Sequence, residues 1–197
     1  MSRAIAFFDF DGTITTSDSL AEFIRYQHGS TGFLAGLIPV IPTIIGFKAG
    51  WVNRQHAKEK LMSAFFSGIP EQTFEQLANT FAREKIPAIL RPLAMAKLNW
   101  HKQQAHEIVI VSASPTYWLE PWCHTNGFRC IATELETVDG KITGRIRGKN
   151  CHGEEKVRRI REKYTLSDYT DIYAYGDTSG DKPMLALASH SYYKPFR

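Results

Sequence analysis

A doubly wound parallel α/β sheet with an all-helical insertion after its first strand is the fold class this chain of 197 residues predicts. Three observations carry that expectation. The run Ile5-Ala-Phe-Phe8 is continuously apolar, which suits a central strand covered on both faces. From residue 88 onward strand-like and helical patterns alternate, as they do when parallel strands are joined by crossover helices. Between these regions, residues 16–87 carry helical periodicity. A hydrophobic fraction of 43% with 22% charged residues describes an ordinary globular protein, long enough for one core and a modest insertion. The net charge of +4 is not gathered into a basic block, so no nucleic-acid partner is expected.

The first strand breaks at Asp9-Phe-Asp-Gly-Thr13. A helix marked by Leu20, Phe23, Ile24 and Tyr26 follows, with Ser17 or Asp18 as its N-cap. Helical pattern resumes at 53–66 and 71–85 around the break Gly68-Ile-Pro70, and a further helix over 88–104 leads back to the sheet. Ile108-Val-Ile-Val-Ser-Ala-Ser-Pro115 reads as a second buried strand. Pro115 suits the first turn of a helix over 116–125, with Ser114 as its cap. A third strand spans 128–133, and Asp139-Gly140 marks a two-residue hairpin turn within 136–144. Gly153-Glu-Glu-Lys156 opens a helix to about Tyr164. Asp171–Gly176 is a strand followed by Asp177-Thr-Ser-Gly-Asp181, a short helix over 183–188 and a last strand over 191–193.

Residues 26–47 contain no Asp, Glu, Lys or Arg and are bracketed by Arg25 and Lys48. Pro39 and Pro42 oppose one straight helix, so three readings compete: a hairpin buried in the helical insertion, a hairpin dipping into a bilayer interface through residues 33–47, or a true span. The cysteines Cys123, Cys130 and Cys151 form no CxxC pair and leave an odd count, which suits reduced thiols. Acidic residues at Asp9 and Asp11 precede any signal-cleavage pattern. A cytoplasmic location, at the inner membrane face if the apolar segment inserts, is therefore expected.

The chemistry gathers at strand ends. Asp9 and Asp11 are one residue apart and can converge on one small volume, where two carboxylates repel unless one is protonated or a cation lies between them. Oxygen clusters of this kind suit Mg²⁺. Gly12 lets the chain turn closely around a ligand, and Thr13 offers a hydroxyl and an N–H to phosphate. In a doubly wound sheet, ligands bind beyond the carboxyl ends of the strands. Ser112, Lys156 at a helix start, and Asp177 with Asp181 fall there too.

Asp9-Phe-Asp-Gly-Thr13 resembles the first motif of the haloacid dehalogenase (HAD) superfamily, mostly Mg²⁺-dependent phosphatases. Ser112, Lys156 and Asp177/Asp181 match the remaining motifs in order. The resemblance implies a HAD-like core over 1–15 and 88–197 with a helical cap over 16–87. It implies Asp9 as nucleophile, forming an aspartyl-phosphate, and Asp11 as acid and then base. It further implies Mg²⁺ held by Asp9, the Asp11 carbonyl and Asp177, and phosphate bound by Gly12, Thr13, Ser112, Ala113 and Lys156, with Asp181 orienting Lys156 or a metal-bound water.

The insertion is similar to the phosphoserine phosphatase branch, with three departures. Asp18 stands where that branch has a longer acidic residue against the substrate amine, Met62 aligns with its carboxylate-binding arginine, and Gly180 replaces an asparagine. Cys-His-Gly-Glu-Glu-Lys156 and the Pro-bearing apolar segment instead resemble bacterial phosphatidylglycerophosphatase C-type enzymes. The expected activity is Mg²⁺-dependent phosphomonoester hydrolysis, on a lipid phosphate such as phosphatidylglycerophosphate or on a soluble metabolite. A non-catalytic phospho-acceptor switch and a membrane-associated module with a decayed site are the readings from other classes. The pairing of Asp-x-Asp with a late Gly-Asp177 favours hydrolysis over the first, and the complete set of carboxylates opposes the second.

Overall fold

A computed structural model describes residues 3–197. Strand β1 (Ala4–Phe8) is buried along its whole length at the centre of a five-stranded parallel sheet. Its neighbours are β2 (Glu107–Pro115) and, on the other side, β6 (Asp171–Gly176). Beyond them lie β3 (Arg129–Thr133) and β7 (His190–Tyr193). Alternation along β1 explains the unbroken apolar run. Ile5 and Phe7 pack with Val109, Ile131, Ile160 and Met184, while Ala6 and Phe8 pack with Ile110 and Tyr175 on the opposite face.

Five helices occupy the chain between β1 and the return to the sheet: α1 (Ser19–Leu37), α2 (Ile41–Lys48), α3 (Arg54–Phe66), α4 (Glu71–Glu84) and α5 (Ile86–Ile89). Then α6 (Pro92–Gln103) leads into β2. Asp18 is the N-cap of α1, accepting from the Ala21 N–H at 3.0 Å. Phe23 anchors the layer, its ring 4.7 Å from Trp118 and 5.2–5.7 Å from Phe66, Phe74 and Phe81. Trp118 belongs to α7 (Thr116–Asn126), so this cluster fastens the helices to the sheet side of the molecule. Truncating a buried Phe of this kind costs about 3–5 kcal/mol.

The apolar segment is not swallowed by that layer. A break at Gly29 (φ 67°, ψ 175°) interrupts α1, and a 3₁₀ turn over Ile38–Val40 joins it to α2. Pro39 and Pro42 sit at the first positions of their helical turns, where no N–H is needed. Phe33 and Leu37 pack against the core and Val40 is buried, whereas Leu34, Ile38, Ile41 and Ile45 are exposed, as is Trp51. The buried-hairpin expectation therefore holds for one face of the segment only. By length and composition alone, Ser19–Lys48 could cross a membrane.

Strands β4 (Leu135–Val138) and β5 (Lys141–Ile146) form a separate antiparallel hairpin. Both turn residues, Asp139 and Gly140, have positive φ, as the two-residue turn requires. The hairpin seals the helical layer: Gly68 N–H donates to Ile142 O and Ile142 N–H to Ile69 O, each at 2.9 Å. A Cβ at Gly144 would collide with the backbone of Ser63 on α3. The remaining helices, α8 (Glu154–Lys163) and α9 (Lys182–Leu185), cover the other side of the sheet.

Candidate active site

The carboxyl ends of β1, β2 and β6 and the start of α8 meet in one cavity of about 380 Å³. Asp9 follows β1 directly, and Lys156, in the first turn of α8, is buried beside it. The Lys156 ammonium has spent its three protons. It donates to Asp9 Oδ1 at 2.6 Å, to Val111 O at 2.7 Å and to Asp181 Oδ1 at 2.7 Å. Asp181 is held in turn by its second oxygen, which accepts from the N–H of Asp177 and from the N–H and hydroxyl of Thr178. Burial alone would lower the Lys156 pKa, but Asp9 and Asp181 hold the ammonium above its ordinary value.

Asp9, Asp177 and Asp181 bring one oxygen each to within 4.8 Å of one another, all three buried. The Thr13 hydroxyl lies 3.0 Å from Asp9 Oδ2 and 3.2 Å from Asp177 Oδ1, bridging the pair. Burial pushes the Asp9 carboxyl up to about 7 against the pull of Lys156. Three carboxylates against one buried lysine leave an anionic excess on hard oxygen donors, and that donor set fits a small divalent cation. Gly12 is required here. Its φ is +81°, and a Cβ would stand 2.6 Å from Asp177 Oδ2. Asp177 also accepts from the Arg197 guanidinium.

Asp11 does not share the Asp9 cluster with its side chain. Its Oδ1 accepts from the Ser19 N–H at 2.6 Å, and its Oδ2 accepts from Ser114 Oγ at 2.6 Å and lies 3.4 Å from Ser112 Oγ. The reason for the separation is that β1 ends at Phe8, so strand alternation no longer governs residues 9 and 11. Burial, reinforced by the Asp18 carboxylate, raises the Asp11 pKa despite these hydrogen bonds. The expected capping role of Ser114 is replaced by this contact, and α7 begins after Pro115 with no side-chain cap.

Ser112 is buried, its Oγ accepting from the Ser114 N–H at 3.0 Å, and Ala113 lines the cavity. Asp18 lines the cavity while capping α1. Met62, by contrast, is buried in the aromatic core. Three basic lining residues escaped the sequence reading: Arg54, Lys58 and His152. His152 lay inside the Cys-His-Gly-Glu-Glu-Lys156 pattern, and its ring occupies the space that a side chain at residue 180 would need. Lys58 had no local signal, because its partners Ala113 and Asn150 are distant in sequence. Leu37, Val40, Ile44 and Phe47 give the cavity an apolar wall.

A family model for haloacid dehalogenase-like hydrolases matches residues 6–186. Protein CicA of Caulobacter vibrioides is 36% identical over 192 residues, covering 96% of this chain and 85% of that protein. The fold is similar to the crystal structure of a Bordetella pertussis Tohama I protein of unknown function, with TM-score 0.82, 23% identity and coverage of 96% and 88% of the two chains. A substrate-bound phosphoserine phosphatase shares the fold with TM-score 0.66 and 18% identity, over 98% and 86% of the two chains.

Proposed function

The chain belongs to the haloacid dehalogenase-like hydrolases, and from that premise we propose that it is a Mg²⁺-dependent phosphomonoesterase working through an aspartyl-phosphate on Asp9. One observation carries the reading. Asp9 is buried at the carboxyl edge of the central strand, against Lys156 and within reach of Asp177 and Asp181. In the first step an Asp9 oxygen forms a bond to phosphorus as the ester P–O bond breaks, and Asp11 gives its proton to the departing alkoxide. Its raised pKa suits a group that must start protonated. In the second step a water oxygen bonds to phosphorus, the Asp9–phosphorus bond breaks, and Asp11 takes the water's proton. Ser112 and the N–H groups near Gly12 and Thr13 would donate to the phosphoryl oxygens, while Lys156, whose protons are already taken, would supply positive charge beside them. Asp9, Asp177 and the Asp11 backbone carbonyl would hold Mg²⁺, which when bound screens the repulsion between nucleophile and phosphate. Residues 16–87 act as the cap over a core made of 1–15 and 88–197.

The substrate we read into this cavity is a lipid phosphate, met at the cytoplasmic membrane face. Support comes from the two faces of the 33–47 segment: Leu37, Val40, Ile44 and Phe47 wall the cavity while Leu34, Ile38, Ile41 and Ile45 face outward. No Asp or Glu occurs between Glu22 and Glu59, whereas Arg25, Lys48, Arg54 and Lys58 do, a charge balance that suits an anionic bilayer surface. The second reading, a soluble metabolite phosphatase of the phosphoserine type, draws on Asp18, which lines the cavity where it could meet a substrate amine.

The test is p-nitrophenyl phosphate hydrolysis. Activity should require Mg²⁺, vanish with EDTA, return on Mg²⁺ addition, and fall to background in Asp9→Asn, which is nearly isosteric. Undiminished turnover in that variant would sink the mechanism.

A further inference from the structure

Lys58 is a cation without a counter-ion in the wall of the catalytic cavity. Its ammonium donates to Ala113 O at 2.5 Å and to Asn150 Oδ1 at 3.3 Å, both neutral oxygens. Among the described residues no carboxylate forms an ion pair with it; Asp18 and Asp11 act on it only at longer range. The contrast with Lys156, clamped between Asp9 and Asp181, is direct. An enclosed ammonium is costly unless an anion accompanies it, and burial accordingly pulls the Lys58 pKa down. The position is built rather than incidental. Asn150 Oδ1 also accepts from Thr133 Oγ1 at 3.1 Å, and the Asn150 N–H donates to Gln55 Oε1 at 3.2 Å, one turn before Lys58 on α3. Lys156 donates to Val111 O and Lys58 to Ala113 O, carbonyls two residues apart on β2, so both ammonium groups sit at the same strand end. Arg54, on the same helix, also lines the cavity, its guanidinium 5.5 Å from the Phe47 ring, and it too makes no ion pair among the described residues.

We propose that Lys58, assisted by Arg54, forms a second anion subsite, and that the natural substrate is a phosphomonoester carrying another anionic group a short distance from the first. This rests on the phosphomonoesterase reading of Asp9. Lys156 serves the phosphoryl group that is transferred, while Lys58 holds the group that stays with the leaving alcohol. The apolar wall beside it then receives whatever tail that alcohol bears. The chemistry is the same for a phosphodiester in a lipid headgroup and for a carboxylate on a small metabolite.

Two matched substrate pairs test it: 3-phosphoglycerate against glycerol 3-phosphate, and phosphatidylglycerol phosphate against phosphatidic acid in the same detergent micelles. The first pair differs by one anionic group, the second by one anionic group and the glycerol that joins it to the terminal phosphate. Wild type is expected to prefer the two-anion member of at least one pair by about tenfold to a hundredfold in kcat/KM, the range of one charge-assisted contact. Which pair shows the preference tells the lipid from the soluble source. Lys58→Met should collapse that ratio toward one, mostly through KM, and Lys58→Arg should retain most of it. If Lys58→Met slows both members of a pair equally, the lysine merely ties α3 to the sheet and the proposal is overturned. Asp9-dependent hydrolysis of p-nitrophenyl phosphate without a preference in either pair overturns the second subsite and leaves the phosphatase reading standing. If p-nitrophenyl phosphate is not hydrolysed at all, the phosphatase reading fails separately. Calorimetric binding of 3-phosphoglycerate and of phosphatidylglycerol phosphate then decides the subsite: at least about tenfold weaker binding to Lys58→Met for either probe supports it, and equal affinities for both overturn it.

Discussion

Asp11 is tied at both oxygens, to a helix N–H through Ser19 and to a hydroxyl through Ser114, and so keeps one orientation toward the cavity. Removing its proton chemistry without its shape should separate the two half-reactions. Asp11→Asn is expected to accept a phosphoryl group from an aryl phosphate, whose leaving group needs little acid help, and then to stall, adding one phosphoryl mass to the intact protein. Equal losses on aryl and alkyl phosphates would remove Asp11 from the acid role. Gly12→Ala attacks the same site through the backbone. With φ at +81° and Asp177 Oδ2 in the way, turnover should drop about a hundredfold or more, and Mg²⁺ should be needed at higher concentration. At this scale the sequence was informative wherever a residue follows a strand end, because topology then fixes its destination. Asp9, Ser112, Asp177 and Asp181 were legible for that reason. Ser114 was misread because capping rules are local, whereas its actual partner, Asp11, comes from another strand end. Lys58 and Arg54 depend on how α3 docks, which leaves no pattern in the chain, whereas His152 lies within the Cys-His-Gly-Glu-Glu-Lys156 motif and fills the space left at Gly180.

Between elements, α6 meets the sheet through His101, buried with Nε2 3.0 Å from the Tyr175 hydroxyl and Nδ1 2.8 Å from His106 Nδ1. Burial, with the nearby His106 and Lys97 charges adding to it, lowers the His101 pKa to about 3. An unfolded histidine titrates near 6.5, so above that pH neither state binds the proton. Below it the unfolded chain takes the proton up while the folded one refuses it until about pH 3. Stability is thus lost as pH falls through this window, with a limiting slope of about 1.4 kcal/mol per pH unit. His101→Gln keeps a donor for the Tyr175 hydroxyl and should flatten that slope in urea titrations between pH 6.5 and 4. An unchanged slope would mean other groups set it. Element boundaries were largely readable from proline, glycine and apolar period. The sealing of α3 by β4 and β5 was not, because the Gly144–Ser63 contact joins segments with no shared periodicity.

For the molecule as a whole, the proposed membrane contact falls to the segment over 33–47. Wild type should sediment with phosphatidylglycerol vesicles. Ile38→Asp with Ile41→Asp should abolish this while hydrolysing p-nitrophenyl phosphate within about twofold of wild type. Both side chains are exposed, at 65% and 46%, so the change in folding stability should stay within about 0.5 kcal/mol per site. Vesicle binding that survives the double change would place the contact elsewhere. The chain's composition announced an unusual segment but not which face it shows, since its apolar residues run nearly all round the helices and supply no polar side to orient them.

That segment has a mechanical consequence. The cavity is lined by the strand ends, α3 and the start of α8, and its apolar wall by α1, the 3₁₀ turn and α2, a single layer of helix roughly 10 Å thick. Over 33–47 only Val40 and Gly46 are buried, whereas β1 and β2 are buried almost throughout. Opening that wall disturbs few buried contacts, so amide exchange should be fastest over 33–47 and slowest in β1 and β2. A load applied from outside, by a bilayer or by any body pressed against Ile38 and Ile41, would be felt within one helix diameter at Val40 and Ile44, the wall against which the proposed lipid tail would rest.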